Sequence, residues 1–404
     1  MKPKSAQATL LWMSVLITSL FVGNAHAVSK YQILHNFLGK PAAHPEAALV
    51  ADSAGNLYGT TANSAKGSCG KGDGCGVAFK LTRGSGGKWS YSIIHIFKDW
   101  DGSQPSGTLI FDSSGNLYGV TGYGGANGTG AVFELSPSGS KWQETVLYSF
   151  GSDLQGPVGA LTFDANGNLY GAAINGGTNL RGGIFELKPS GGTWQEITLY
   201  EFAGPDGSNP TGNLVWDSAG NLYGATVDGG QYQVGVVFEL MPNGGSWTEK
   251  VLYSFTGGSD GALPQGVIFD SVGNLYGTTD WGGDFSCSNG CGTVFKLTPS
   301  MGNWTLSTLH AFDIVDGDSP NGGLILDSSG SIYGTTLIGG KYENGVVFKL
   351  SKSGNRWIET VLHSFALHAA TPTDGLIFDQ QGVLYGTAGN VGRQGDGVVF
   401  SIAP

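Results

Sequence analysis

The feature that most constrains this chain is a phrase written seven times. GNLYGTT begins at Gly55, GNLYGVT at Gly115, GNLYGAA at Gly167, GNLYGAT at Gly220, GNLYGTT at Gly273, GSIYGTT at Gly330 and GVLYGTA at Gly382. Successive copies lie 60, 52, 53, 53, 57 and 52 residues apart. A period of about 50 residues with strand-like content marks propeller blades, small sheets that bury their faces only by stacking in series.

Each period carries four apolar runs of strand length. In the second copy they are GTLIFD (107–112), LYGVTG (117–122), AVFELS (131–136) and WQETVLYSF (142–150), named here strands a, b, c and d. The a–b turn DSSGN places Asp112 where its carboxylate accepts hydrogen bonds from the turn backbone and Gly115 where φ is positive. The same acid recurs as Asp52, Asp164, Asp217, Asp270, Asp327 and Asp379.

The seventh copy ends after strand c at Val398-Val399-Phe400, and YQILHNF (31–37) matches the d pattern of VLYSF (146–150). The expectation is an all-β, seven-bladed propeller of four-stranded blades whose N-terminal strand completes the last blade. Such closure removes exposed sheet edges. Residues 28–404 then form one domain.

Residues 1–27 read differently. Lys2 and Lys4, the apolar run Leu10 to Val22 and the small-x-small Ala25-His26-Ala27 make a secretory signal peptide. The run is too short to span a bilayer. The expected location is therefore secreted or periplasmic, with no membrane span in the mature chain. Beyond the leader, 18 basic residues face 31 acidic ones, a net charge of −13, which argues against a nucleic-acid partner. With 70 glycines and no convincing amphipathic helical stretch, the composition suits strands and tight turns.

Repetition absorbs most aromatics. Tyr58, Tyr118, Tyr170, Tyr223, Tyr276, Tyr333 and Tyr385 share one strand b position; Phe79, Phe133, Phe185, Phe238, Phe295, Phe348 and Phe400 share one in strand c; six tryptophans open strand d. An aromatic present in every blade is expected to pack between blades.

These residues resemble the GloVer tandem-repeat family of secreted bacterial proteins, whose unit looks like GNLYGTT–GG–GVVFKL–P–W–VLYSF–DG–P–G. The Gly-Gly after strand b and the Trp opening strand d are also similar, more loosely, to kelch blades. The GloVer resemblance covers nearly all of residues 28–404 and implies a secreted repeat protein of largely unassigned function, often followed by a surface anchor. Here the sequence stops at Pro404, directly after strand c, so a free secreted or periplasmic monomer is expected.

Subtracting the repeat leaves the candidate site. The a–b turns are short and uniform, whereas the b–c and d–a loops vary, and variable loops on a rigid scaffold commonly carry function. The leftover aromatics Trp100, Tyr123, Tyr232, Trp281, Phe285 and Tyr342 all fall in b–c or d–a loops, hence on one face. Beside them stand Asn127, Arg181, Asp228, Asp284 and Lys341. Rings to stack on sugars and polar groups to bind hydroxyls point to a carbohydrate or protein ligand.

The b–c loop is longest in the first and fifth blades, the two that carry cysteines. Cys69 with Cys75 and Cys287 with Cys291 are expected to form local disulfides that offset loop entropy. A zinc site would gather all four thiolates, yet these blades are not ring neighbours, and no metal site is expected.

His35, His95, His310 and His363 occupy the strand d position that Tyr148, Tyr200 and Tyr253 fill elsewhere, a packing position. His44 and His368 escape the repeat, and with Glu46 and Asp374 they are the only group from which acid–base chemistry could be assembled. The acids of the d–a loops, Asp101, Asp153, Asp206, Asp260 and Asp316, read as turn formers that could also hold a structural calcium; no other cofactor is expected. The leading expectation is a non-catalytic protein binding a glycan or protein on the b–c/d–a face. The alternatives are a carbohydrate-active lyase or hydrolase and a structural cell-envelope protein.

Overall fold

The computed structural model describes residues 30–39, 42–64, 69, 74–366, 372, 375–389 and 395–403. The expected leader, His368 and Asp374 lie outside them.

The strands assemble into seven antiparallel blade sheets, each in the order a-b-c-d, with a two-stranded ribbon of Ala42–Ala43 and Asn63–Ser64 beside the first. The third blade is the clearest: a is Leu154–Phe163, b Leu169–Gly176, c Gly183–Ser190 and d Thr193–Glu201. In the last blade strand d is the N-terminal segment Lys30–Asn36, which pairs with Val398–Ala403 in the register Lys30 to Ala403 through Asn36 to Val398. The ring is therefore closed by an N-terminal strand that completes the last blade, as the sequence implies.

The core is divided among seven clusters, one at each boundary between blades. The last Phe of each strand d packs edge-on against the strand c Phe of the next blade. The ring centroids are 4.9 Å apart for Phe97–Phe133, 5.0 Å for Phe150–Phe185 and 5.3 Å for Phe365–Phe400. The glycine of each LYG phrase exists for that Phe: a Cβ on Gly171 would lie 2.5 Å from the Phe185 ring, well inside contact distance.

The repeated Tyr also does more than pack. Its hydroxyl donates to the a–b turn acid of its own blade in all seven, at 3.0 Å for Tyr58 to Asp52 and 3.1 Å for Tyr276 to Asp270. The other carboxylate oxygen accepts two backbone N–H groups of the turn, from Val272 and Asn274 in the fifth blade. Burial alone would raise these acids, but the hydrogen bonds from Asn or Ser and the backbone outweigh it and hold six of them below the usual carboxylate range. In the DANGN turn, Asp164 is spent in this way, leaving no free oxygen cage of the calcium type.

Strand a differs from expectation. In the second to fifth blades it begins near the d–a loop, at Ser103, Leu154, Ser208 and Ala262. In the first, sixth and seventh it is broken: the outer half pairs as Val50–Ala51, Ile325–Leu326 and Ile377–Phe378, while nearer the d–a loop Ala42–Ala43 pairs with Asn63–Ser64 in the first and Asp318 bridges Ile338 in the sixth.

Candidate functional site

The b–c and d–a loops form one rim. After strand b the chain enters a Gly-Gly pair with both φ angles positive, 73° and 77° at Gly124 and Gly125, which tucks it beneath the preceding d–a loop. The second glycine donates to that loop: Gly125 to the Asp99 carbonyl at 2.8 Å, Gly230 to Gly204 at 2.8 Å, Gly283 to Gly258 at 2.9 Å. The loop that carries Trp100 is thus fused to the turn that follows Tyr123.

Around the ring axis, the residue after the strand a proline in six blades lines a cavity of about 260 Å³: Glu46, Ser106, Val158, Thr211, Gln265 and Asn321. A second cavity of about 300 Å³ shares Glu46 and reaches the rim past Gln104, Tyr123, Gln155 and Asn175. Its wall pushes the Glu46 carboxyl above the usual range by desolvation, while His44 pulls it down.

The predicted residues fall into three groups. Trp100, Tyr123 and Phe285 project into solvent, 61%, 60% and 62% exposed, with Tyr232, Trp281 and Tyr342 also exposed on the same rim. Lys98 lies over Trp100 at 5.4 Å and Lys341 over Tyr342 at 5.0 Å. The second group serves the loops themselves. Asn127 donates to the Phe150 carbonyl at 2.9 Å, Asp284 accepts from the Ser286 backbone at 2.8 Å, and Arg181 lies against Gly204. Asp228 accepts from the Asn209 side chain at 3.0 Å. The third is the proposed acid–base group, of which only His44 and Glu46 lie among the described residues. His44 does not escape the repeat. It holds φ 58° directly before Pro45, as Gln104, Asn209, Leu263 and Ser319 do before theirs, and its N–H donates to Asp396.

Tyr123, Asp228 and Trp281 are also not loop residues. Each is the seventh residue of strand b, which runs longer than the LYG phrase suggests. Blades two and five are on opposite sides of the ring, so Tyr123 and Trp281 do not share one pocket. Beside Trp281, burial pushes the Asp280 carboxyl up, with Asp318 adding to it.

Reading only aromatics missed part of this surface. Among the described residues sixteen large apolar side chains are exposed; eleven lie on this rim, including Leu38, Leu180, Ile314, Val315 and Ile338, against Val272 and Met301 on the opposite one. The signal available was the variable residue between the recurrent Pro and Gly of strand a, which marks the axial lining.

Both cysteine pairs are disulfides, Cys69–Cys75 and Cys287–Cys291, each stapling a rim loop. Among the described residues no helix is long and apolar enough to cross a membrane.

A family model described as the Gloeobacter/Verrucomicrobia repeat matches residues 24–215 and 195–400. No curated protein matches the sequence. Among solved structures, the chain is similar to a fungal alcohol oxidase in complex with copper: 13% identity, 93% of this chain, 76% of that one, TM-score 0.58. It is similar to the periplasmic gluconolactonase of Pseudomonas aeruginosa, with 14% identity, 86% and 99% coverage and TM-score 0.55. It is similar also to the extracellular domain of a candidate one-component system of B. thetaiotaomicron, 12% identical with TM-score 0.55, matching over 92% of this chain but spanning only 40% of that one. At these identities the likeness concerns the fold alone.

Proposed function

The chain belongs to the Gloeobacter/Verrucomicrobia repeat family, and we propose that it is an extracytoplasmic binding protein that takes a carbohydrate chain across the b–c/d–a rim. The observation that carries this is that, among the described residues, the large exposed aromatics all lie on one rim, with Tyr123 beside Glu46, Gln104, Gln155 and Asn175 at the axial mouth. Aromatic faces stack on the apolar faces of sugar rings, and buried amides bind hydroxyls at low entropic cost. The two disulfides support a location outside the cytoplasm.

A glycan array probed with the purified protein tests it. Retention of a defined polysaccharide class, weakened by Tyr123→Ala or Trp281→Ala, is expected; no retained glycan removes the reading and leaves a protein ligand or a structural envelope role. One observation favours a catalytic second reading: Glu46 lines both the axial cavity and its mouth with a raised pKa. Turnover of a lactone or polysaccharide that disappears in Glu46→Gln would replace binding with catalysis.

A further inference from the structure

The outer seam between neighbouring blades repeats a three-residue arrangement. It consists of the His or Tyr near the end of strand d, the acid of the following d–a loop, and a residue near the start of the next strand d. In two of the three seams whose first member is Tyr, its hydroxyl meets the acid: Tyr200 donates to Asp206 at 2.5 Å and Tyr253 to Asp260 at 3.0 Å. Where the loop carries no such acid, His stacks on Tyr instead, His363 on Tyr31 at 3.9 Å and His35 on Tyr91 at 4.1 Å. Each kind leaves a buried oxygen without a hydrogen bond, Glu249 Oε1 beside Asp206 and the Tyr91 hydroxyl beside His35, but among the described residues neither brings three imidazole or carboxylate ligand atoms together.

The seam between the first and second blades does. Asp101 is fully buried; its Oδ1 accepts from the Lys98 backbone at 2.6 Å, while its Oδ2 makes no hydrogen bond and faces His95 Nε2 at 3.3 Å. His95 Nε2 and Glu144 Oε1 are likewise buried with no hydrogen-bond partner. One ligand atom from each of His95, Asp101 and Glu144 lies within 4.8 Å of the other two. One imidazole and two carboxylates is a borderline donor set, suited to zinc and poorly suited to calcium, which prefers six or more oxygens.

We propose that His95, Asp101 and Glu144 form a binding site for a divalent transition cation of the zinc type, pinning the 98–102 loop that carries Trp100. Three protein ligands leave a fourth position open for water. The sixth blade repeats the residue types as His310, Asp316 and Glu359, with His310 Nε2 3.0 Å from Asp316 Oδ2, in a more open seam. Glu249 marks the limit of the pattern: it faces Asp206 without an imidazole, Tyr200 already bonds that acid, and no metal is expected there.

Titration of the metal-free protein with zinc chloride, followed by calorimetry and by Tm, tests this. The expected result is stoichiometric zinc uptake with a Tm several degrees higher, and no response to calcium chloride. His95→Tyr copies the seam of Tyr200 and Asp206, so it should fold, and it should weaken zinc at this seam at least 100-fold; Glu144→Gln should do the same. The His310→Tyr variant, which leaves this seam intact, should retain the tight site. Absence of zinc uptake, or uptake unchanged in both His95→Tyr and Glu144→Gln, overturns the proposal and leaves the cluster a buried His95–Asp101 ion pair beside Glu144.

Discussion

Phe37, just past the N-terminal strand, packs edge-on against Phe79 of the first blade with ring centroids 5.3 Å apart. The same d-to-c contact joins Phe365 to Phe400 at the far end of the chain, so the ring closes by the contact that repeats inside it. Phe37 is 2% exposed, and its truncation leaves a cavity at the closing seam. Phe37→Ala is expected to cost about 3–5 kcal/mol in denaturant unfolding. An unchanged midpoint would mean that the N-terminal strand does not close the ring.

The LYG glycine is a packing residue before it is a flexible one. A Cβ on Gly171 would fall 2.5 Å from the Phe185 ring and 2.9 Å from Leu161. Gly171→Ala should therefore destabilise by about 1–3 kcal/mol through overpacking. Phe185→Leu in the same chain should recover part of that loss; if the double variant is simply additive, the two side chains do not meet.

The repeated Tyr tests the turn acid. In the fifth blade the Tyr276 hydroxyl has Asp270 as its acceptor, and the ring stays buried on the core side. Tyr276→Phe keeps the ring and loses the bond, with an expected cost of about 1–2 kcal/mol by chemical denaturation. A neutral result would assign the position to packing alone.

Much of the fold was legible because the chain supplies seven copies of the same local problem. The turn acid, the LYG glycine and the strand c Phe each recur against the same neighbours, and the N-terminal d pattern stood out as the piece missing from the last blade. The site was less legible, since its residues are defined by departing from the repeat. Tyr123 and Trp281 looked like loop residues because the polar seventh position of strand b varies freely. His44 looked exceptional because the backbone position before Pro45 accepts any side chain. The Glu144 seam could not be read at all: Glu144 and Asp101 are 43 positions apart, and only blade stacking brings them together.

Three seam acids outnumber the two buried seam histidines, His35 and His363, whose lowered values act in the opposite sense below about pH 6.5. Burial, with Asp101, Asp206 and Asp316 adding to it, pushes Glu144 and Glu359 up to about 7 and Glu249 up to about 8, against an ordinary 4.5. The folded state then holds protons that the unfolded state has released, so stability falls as pH rises from about 4.5 to 8. Below about 4 the turn acids act in the opposite sense, since their lowered values contribute stability that is lost on protonation. Metal-free protein should show its highest Tm near pH 5. Glu249→Gln should flatten the alkaline limb, and a Tm that rises steadily to pH 8 would contradict these assignments.

The claim that function resides on the b–c/d–a rim is tested most directly by calorimetry with the glycan that the array identifies, comparing substitutions on the two rims. Trp281→Ala should weaken binding at least tenfold, whereas Val272→Ala, an exposed apolar residue of the opposite rim, should leave it unchanged. Equal affinity in both variants and in the unmodified protein, or loss confined to Val272→Ala, would place the ligand elsewhere on the ring.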